Sequence, residues 1–120
     1  MSIRRAIPIV VTEDPAGTRA FYEDFLGFRV AMEQTGFLML VSPSEPTTQV
    51  IVAWDAPAAM DPNVQRVDMS VEVANVDEAH ADAVARGLDI VYPLTDEPWG
   101  IRRFFVKDPD GTVINVAMHR

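Results

Sequence analysis

The chain has 120 residues, of which 48% are hydrophobic and 23% are charged, so its length and composition fit one compact domain with a sizeable core. It contains no cysteine, which excludes disulfides, thiolate metal sites and cysteine nucleophiles. The formal net charge of −8 opposes the basic surface that nucleic acids require, so we expect no nucleic-acid partner.

The first residues are not expected to act as a targeting segment. Arg4 and Arg5 precede an apolar run of only about five residues, which is too short for a signal peptide or a membrane span. Glu13 and Asp14 follow that run directly. We therefore expect a cytoplasmic protein with no membrane partner.

Hydrophobic periodicity in the first half predicts one strand, one helix and then three strands. The predicted strands cover residues 3–11, 28–33, 37–41 and 49–54. Pro8 lies inside the first of them. Because proline donates no ladder hydrogen bond, it indicates an edge position or a bulge.

The helix of the first half has recognisable ends. Asp14 followed by Pro15 predicts an N-cap and a first turn, and Gly27 predicts a left-handed residue that ends the helix. Phe21 and Phe25 are four residues apart and are expected to form the buried stripe of this helix.

The second half repeats the plan, with predicted strands over residues 67–73, 88–92, 101–107 and 112–119. Asn75 with Glu78 resembles a capping box, Ala79 and Ala83 are expected to face inward, and Gly87 ends the helix. The sequence thus predicts a single α+β domain of two βαβββ modules, residues 1–55 and 66–120, joined by a linker over residues 56–65.

The turn "DPDG" sets the register of the last two strands. If Asp108 is opposite Thr112, then Phe105 is opposite Asn115 and Arg103 is opposite Ala117. Alternation places these four residues on one face of the sheet. The other face carries only apolar residues, which we expect to pack under the helix: Phe104, Val106, Ile114, Val116 and Met118.

The same alternation sorts the strand at 67–73. Val67 and its alternate neighbours are expected to face the helix, which turns Asp68, Ser70 and Glu72 to the opposite side. Asp68 and Asn115 are therefore predicted to share one polar, helix-free face.

The paired modules, together with "FYEDFLGF" at the end of the first helix and "RRFFVKDPDGTVINV" near the C-terminus, resemble the vicinal oxygen chelate superfamily. That superfamily includes glyoxalase I, extradiol dioxygenases and bleomycin resistance proteins. The resemblance covers nearly the whole chain and implies curved mixed sheets that form a cup-shaped cavity, often completed by dimerisation. We therefore expect a homodimer, although neither motif selects a reaction.

In metal-using members of the superfamily, the ligands come from the first and last strands of each module. The positions in this sequence that correspond are Ile7, Val52 or Trp54, Asp68 and Asn115. A divalent ion needs several converging N or O donors, and one carboxylate with one amide oxygen is too few. The resemblance therefore implies a site with neither metal nor other cofactor.

The polar candidates for ligand binding are Asp68, Glu72, Arg103 and Asn115. Asp68 either anchors a cationic ligand, helped by Glu72, or pairs with Arg103 or another base on the same face. Asn115 either reads a ligand amide or ties Asp68 to its neighbours.

Three aromatic residues complete the candidate site. Trp99 lies in "EPWG", and "PWG" at this place also resembles bleomycin resistance proteins; Trp99 either stacks on a ligand or packs a dimer interface. Phe105 and Trp54 either form flat walls of the cup or fill it. His80 is expected to be a solvated surface residue, and His119 is expected near the rim of the cup.

The function expected from the sequence is metal-independent binding of a small organic molecule, of the kind that antibiotic-sequestering proteins perform, and its specific version is resistance to a bleomycin-like or other cationic natural product. Three alternatives stay open. One is a glyoxalase-like lyase or isomerase, or a dioxygenase-related enzyme, that recruits a metal through Asp68, Glu72 and His119. The others are a metal-free catalyst with Asp68 as general base, and a scaffold whose cup is filled by its own side chains.

Overall fold

The computed structural model describes residues 1–55, 59–64 and 66–120. Within these ranges the elements are β1 (Ile3–Val11), α1 (Pro15–Ala20), a π-helical segment (Phe21–Phe25), β2 (Arg29–Gln34), β3 (Phe37–Val41), β4 (Gln49–Ala53), β5 (Met69–Val73), α2 (Val76–Ala85), β6 (Ile90–Asp96), β7 (Ile101–Lys107) and β8 (Val113–His119). The predicted α+β class with two βαβββ modules is confirmed. Part of the predicted linker, residues 56–58 and 65, lies outside the described residues.

The chain forms two compact units. One contains Ile7–Pro57 and is called the first-module unit; the other contains Met1–Ala6 with Ala58–Arg120 and is called the second-module unit. In the first-module unit the strand order is β2-β3-β4-β1, with β1 parallel to β4 and the other neighbours antiparallel. The ladder between β1 and β4 begins at Ile9, so Pro8 lies one residue before this ladder.

The ends of the first helix agree with the prediction. The carboxylate of Asp14 accepts a hydrogen bond from the Gly17 backbone N–H at 3.1 Å, Pro15 is the first helical residue, and Gly27 has a φ of +82°. The short α1 continues into the π-helical segment Phe21–Phe25.

The predicted buried stripe of this helix is wrong. Phe21 is 52% exposed and Phe25 is 74% exposed, with their ring centroids 5.3 Å apart. Tyr22 and Phe28 pack instead against the core of the first-module unit, which consists of Leu38, Leu40 and Val52. A period of four cannot show which of two neighbouring aromatic residues faces the sheet, and the wider π-helical turn changes the facing of this segment.

In the second-module unit the strand order is β5-β8-β7-β6, with β5 parallel to β8 and the other neighbours antiparallel. Asn75 caps α2 by accepting from the Glu78 backbone N–H at 3.1 Å. Ala79 and Ala83 are buried, and Gly87 follows with a φ of +67°, as predicted. No helix among the described residues is both long and apolar enough to cross a bilayer.

The predicted register of β7 and β8 is confirmed: Phe105 pairs with Asn115, and Arg103 pairs with Ala117. The sheet therefore separates two core clusters. The cluster under α2 contains Val73, Val76, Ala79, Ala83 and Phe104, and the cluster on the other side contains Met60, Val64, Val91, Tyr92, Phe105 and Val113.

Two predictions near the sheet edges need correction. Val67 packs on the Phe105 side rather than under α2, because β5 begins only at Met69 and strict alternation does not extend before it. The strand predicted at 88–92 is instead β6, which reaches Asp96. Register shifts near Tyr92 allow it to pass Pro93 on the edge of the sheet.

Candidate functional site

The candidate site is the helix-free face of the second-module sheet. The strand pairings place Ser70 beside Asn115 and Glu72 beside Ala117, while Phe105 and Arg103 lie across from Asn115 and Ala117. These six residues face away from the cluster under α2. The name helix-free face is used below for this surface.

Asn115 is buried at the centre of the helix-free face, with only 7% of its surface exposed. Its side-chain Nδ2 donates to the Ser70 hydroxyl oxygen at 2.9 Å. Among the described residues, its Oδ1 has no hydrogen-bond partner. Exchange of the amide oxygen and nitrogen would leave the other atom unpartnered, because a single hydroxyl satisfies only one end of the amide.

Arg103 lies among three aromatic rings. Its guanidinium carbon is 5.4 Å from the ring centroid of Tyr92, 5.3 Å from that of Trp99 and 4.9 Å from that of Phe105. Such distances allow cation–π attraction. Within the described part of the chain, Arg103 Nε is buried and finds no acceptor.

A buried carboxylate holds this guanidinium. Glu97 Oε2 accepts from Arg103 Nη2 at 2.8 Å, and Glu97 Oε1 accepts from the Tyr92 hydroxyl at 2.8 Å. Burial, followed by the hydrogen bond to Glu97, raises the pKa of Tyr92 above its ordinary value. Glu97, Tyr92 and Arg103 therefore form one hydrogen-bonded group.

Sequence reasoning missed Tyr92 and Glu97. The sequence predicts that Tyr92 ends its strand, whereas β6 continues to Asp96. Glu97 lies in the loop that also contains Trp99. A glutamate six residues before an arginine is common in any sequence, so no local signal marks this pair.

Asp68 is fixed at the beginning of β5. Its Oδ2 accepts from the Val113 backbone N–H at 2.9 Å, and its Oδ1 accepts from Arg66 Nε at 2.8 Å. The basic partner of Asp68 is therefore Arg66, whereas Arg103 pairs with Glu97. Asn115 donates to Ser70, and among the described residues no hydrogen bond joins it to Asp68.

Glu72 and the two histidines complete the polar inventory. Glu72 accepts from Arg5 Nε at 2.7 Å, and His119 Nδ1 lies 3.9 Å from the same carboxylate. His119 is mostly exposed, in agreement with a rim position. The prediction of a solvated His80 is wrong: it is half-buried on the helix side, where its ring meets Phe104 edge-on at 5.0 Å.

The three predicted aromatic residues differ in exposure. Phe105 is only 2% exposed and belongs to a core cluster, and Trp54 packs against the core of the first-module unit. Trp99 is 36% exposed and lies on a tight turn in which the Gly100 backbone N–H donates to the Glu97 carbonyl at 3.2 Å. Trp99 is therefore the aromatic residue of the three that can meet a ligand with the least rearrangement.

A separate open groove of about 530 Å³ lies at the beginning of α2. Its lining includes Ala74, Asn75, Glu78 and Asp82 together with the first two residues of the chain. It has no aromatic wall, and the Asn75 side chain is already engaged as the helix cap. The groove therefore provides less chemistry for recognition than the helix-free face.

The residues present do not fit a divalent metal. Ile7 and Val52, at two of the corresponding ligand positions, carry hydrocarbon side chains. Both Asp68 oxygens already accept hydrogen bonds, and Asn115 provides only an amide oxygen, which is a weak metal ligand. Across the described ranges, no three His, Asp or Glu side chains come together as a metal site would require.

Known structures support the fold. A protein described as an NAD-dependent benzaldehyde dehydrogenase from Legionella pneumophila aligns with a TM-score of 0.69 at 18% identity, covering 96% of this chain and 99% of its own. A glyoxalase/bleomycin resistance protein/dioxygenase superfamily member from Vibrio splendidus aligns with a TM-score of 0.64 at 17% identity, covering 98% and 99%. At these identities the likeness concerns the fold alone.

A variant of homoprotocatechuate 2,3-dioxygenase from Brevibacterium fuscum aligns with a TM-score of 0.70 at 25% identity. The alignment covers 98% of this chain but only 33% of the dioxygenase, so the chain spans about a third of that enzyme. Comparison with curated proteins gave no significant match.

A family model gives the most direct assignment. The model described as Glyoxalase/Bleomycin resistance protein/Dioxygenase superfamily matches residues 5–116, which is nearly the whole chain. This match agrees with the two βαβββ modules and with the resemblance found in the sequence. The chain therefore belongs to the glyoxalase/bleomycin resistance protein/dioxygenase superfamily.

Proposed function

We propose that this protein binds a small organic molecule on the helix-free face and does so without a metal ion. The observation that carries the proposal is Asn115. It stands at a position where the resemblance implies a metal ligand, yet its side chain is buried, and one amide atom finds no partner among the described residues. A buried polar atom without a partner costs about 1–3 kcal/mol, so a molecule that satisfies it gains that free energy on binding.

The neighbours of Asn115 support recognition of an organic molecule. Arg103 adds a second buried polar atom without a partner among the described residues, and Trp99 adds a partly exposed indole. Ligand sites in proteins commonly combine apolar or aromatic walls with a few fixed polar groups. Glu97 already holds the Arg103 side chain in place, so ligand binding loses less conformational entropy at this residue.

Thermal denaturation in the presence of a library of neutral and charged aromatic compounds tests this proposal. A compound that binds the folded chain raises the midpoint of unfolding, and the shift grows with its concentration. Asn115→Leu should remove the shift, whereas Asn63→Leu, at an exposed turn, should leave it unchanged. A shift that survives Asn115→Leu would place binding elsewhere.

Sequestration of a bleomycin-type drug is the specific form of this proposal that the sequence resemblance suggests. Titration with bleomycin under the same conditions tests it separately. If saturating drug leaves the unfolding midpoint unchanged, the drug-sequestration form fails while the wider proposal stands.

A metal-dependent enzyme is the second candidate, because the fold likeness includes homoprotocatechuate 2,3-dioxygenase at 25% identity. Elemental analysis of protein purified without a histidine tag, followed by calorimetric titration with Zn²⁺, Ni²⁺ and Mn²⁺, distinguishes the two candidates. Tight binding of one ion per chain, lost in Asp68→Ala, would contradict the metal-free proposal.

A further inference from the structure

The aromatic rings around Arg103 form a cage that the protein fills itself. Tyr92, Trp99 and Phe105 all place their ring centroids within 5.4 Å of one guanidinium carbon. An aromatic cage of this kind attracts ammonium and guanidinium groups. A cationic ligand would have to displace a tethered cation that already has Glu97 as its counter-ion.

The other carboxylates near the helix-free face also have cationic partners. Glu72 is 2.7 Å from Arg5, and Asp68 is 2.8 Å from Arg66. A paired carboxylate attracts a further cation weakly, because the two charges largely cancel at a distance. The net charge of −8 therefore does not translate into a local preference for cations on this face.

The two unpartnered atoms indicate a different ligand chemistry. Arg103 Nε–H can only donate a hydrogen bond, so its complement is an oxygen or nitrogen acceptor. The amide of Asn115 accepts through Oδ1, or donates through Nδ2 in the exchanged orientation. A carboxamide carries both an acceptor and a donor and so can satisfy either atom, and a carboxylate can satisfy Arg103, whereas a cation without an acceptor can satisfy the Asn115 oxygen but not Arg103.

Both atoms are covered in this conformation, so a ligand needs a route to them. Of the three rings around Arg103, Tyr92 and Phe105 are fully buried and Trp99 is more than one third exposed. Trp99 also lies on a turn that ends at Gly100, whose φ is +86°. Reorientation of Trp99 is therefore the least costly way to expose the edge of Arg103.

Resting on the proposed binding function, we infer that the ligand of the helix-free face is a neutral or anionic molecule with a carbonyl or carboxylate oxygen. That oxygen accepts a hydrogen bond from Arg103 Nε–H, and Trp99 covers the bound group. The expected ligand is thus neutral or anionic, whereas the sequence suggests a cationic one.

Three planar fragments of closely similar shape test this inference: benzamide, benzoate and benzamidine. Each is titrated to about 10 mM into ¹⁵N-labelled protein, a range that detects the weak binding of small fragments. NMR signals of Arg103 Nε–H, the Asn115 amide and the Trp99 indole N–H report on the site directly. Backbone signals of α2, on the other side of the sheet, serve as the internal reference.

Benzamide is expected to shift the signals of Arg103, Asn115 and Trp99, and benzoate to shift those of Arg103 and Trp99. Benzamidine is expected to leave the Arg103 Nε–H signal unchanged, because it carries no acceptor for that group. Arg103→Met should weaken the binding of benzamide and benzoate roughly tenfold or more, as the loss of a hydrogen bond from a charged group does. Arg102→Met is the matched control, because Arg102 lies on the helix side and pairs with Asp77 and Asp96.

Arg103→Met leaves Glu97 buried without its counter-ion, so the variant Arg103→Met with Glu97→Gln is measured in parallel to keep the site neutral. Tighter binding of benzamidine than of benzamide would overturn the inference but leave the proposed function intact. The inference would also be overturned, with the proposed function intact, if library compounds shifted the Asn115 signal while benzamide and benzoate did not. If no compound shifts any signal of the helix-free face, both the inference and the proposed function fail.

Discussion

Asn115 illustrates how a single side chain can occupy a recognisable position without the chemistry that the position usually provides. The turn "DPDG" correctly places it opposite Phe105. Its partner, however, is the hydroxyl of Ser70 on the adjacent parallel strand, 45 residues earlier in the chain. The sequence identifies the position of Asn115, and the neighbouring strand determines what its amide does.

The bond between Asn115 and Ser70 leads to a prediction about stability. Ser70→Ala leaves the whole buried amide unpartnered and should lower the free energy of unfolding by about 1–3 kcal/mol. Adding Asn115→Leu removes the amide as well, so the double variant should lose less than the sum of the two single changes. Urea denaturation measures all four proteins; strict additivity would contradict the pairing.

Tyr92 gives a prediction about alkaline pH. Its pKa in the folded protein is raised above the ordinary value of 10.0, chiefly by burial and then by Glu97. The folded state therefore holds this proton more tightly than the unfolded state, and the resulting stabilisation is complete below pH 10.0 and lost as pH rises through the folded pKa. Tyr92→Phe cannot lose a proton and has no such dependence.

The measurement is the free energy of unfolding of both proteins in urea between about pH 8 and pH 11. The advantage of the native protein over Tyr92→Phe should be constant at the lower pH values and should shrink above pH 10.0. An advantage that stays constant over the whole range would show that burial does not perturb this phenol.

At the scale of the elements, the two helices contrast. The inward positions of α2 follow from the sequence, because Ala79 and Ala83 lie four residues apart and therefore share one face of the helix. The segment from α1 to Phe25 has aromatic residues at neighbouring positions, and Tyr22 rather than Phe21 faces the core. The choice depends on the π-helical turn, which no local pattern in this stretch announces.

This contrast predicts a large difference between two phenylalanine substitutions. Phe104→Ala removes a ring that is 1% exposed under α2 and should cost about 3–5 kcal/mol of unfolding free energy. Phe25→Ala removes a ring that is 74% exposed and should change stability by no more than about 0.5 kcal/mol. Denaturation in urea compares the two variants. A loss above about 2 kcal/mol for Phe25→Ala, which is the size expected for a buried ring, would show that Phe25 is buried as the sequence predicts.

At the scale of the whole molecule, homodimerisation stays a prediction. It derives from the resemblance to the superfamily, and several large apolar side chains among the described residues are exposed, including Ile3, Val84 and Leu88. Sedimentation equilibrium over a range of protein concentrations should give twice the mass of the chain. A single-chain mass at every concentration would contradict the prediction.

The sequence alone determined the features that depend on neighbours in the chain. Asp14 and Asn75 cap the helices, Gly27 and Gly87 end them, and the turn at Asp108 fixes the register of β7 and β8. Each depends on a local backbone preference or on strict alternation, and the repetition of these signals gives the two modules.

Only the tertiary structure decided which side chains meet on the helix-free face. Glu97 reaches Arg103 from a loop, and Met60 and Val64 cover the sheet beside Phe105. Such contacts depend on how loops return over the sheet, which periodicity does not encode because loops have none. The fold therefore follows from the sequence, whereas the partners of its buried charges depend on tertiary contacts.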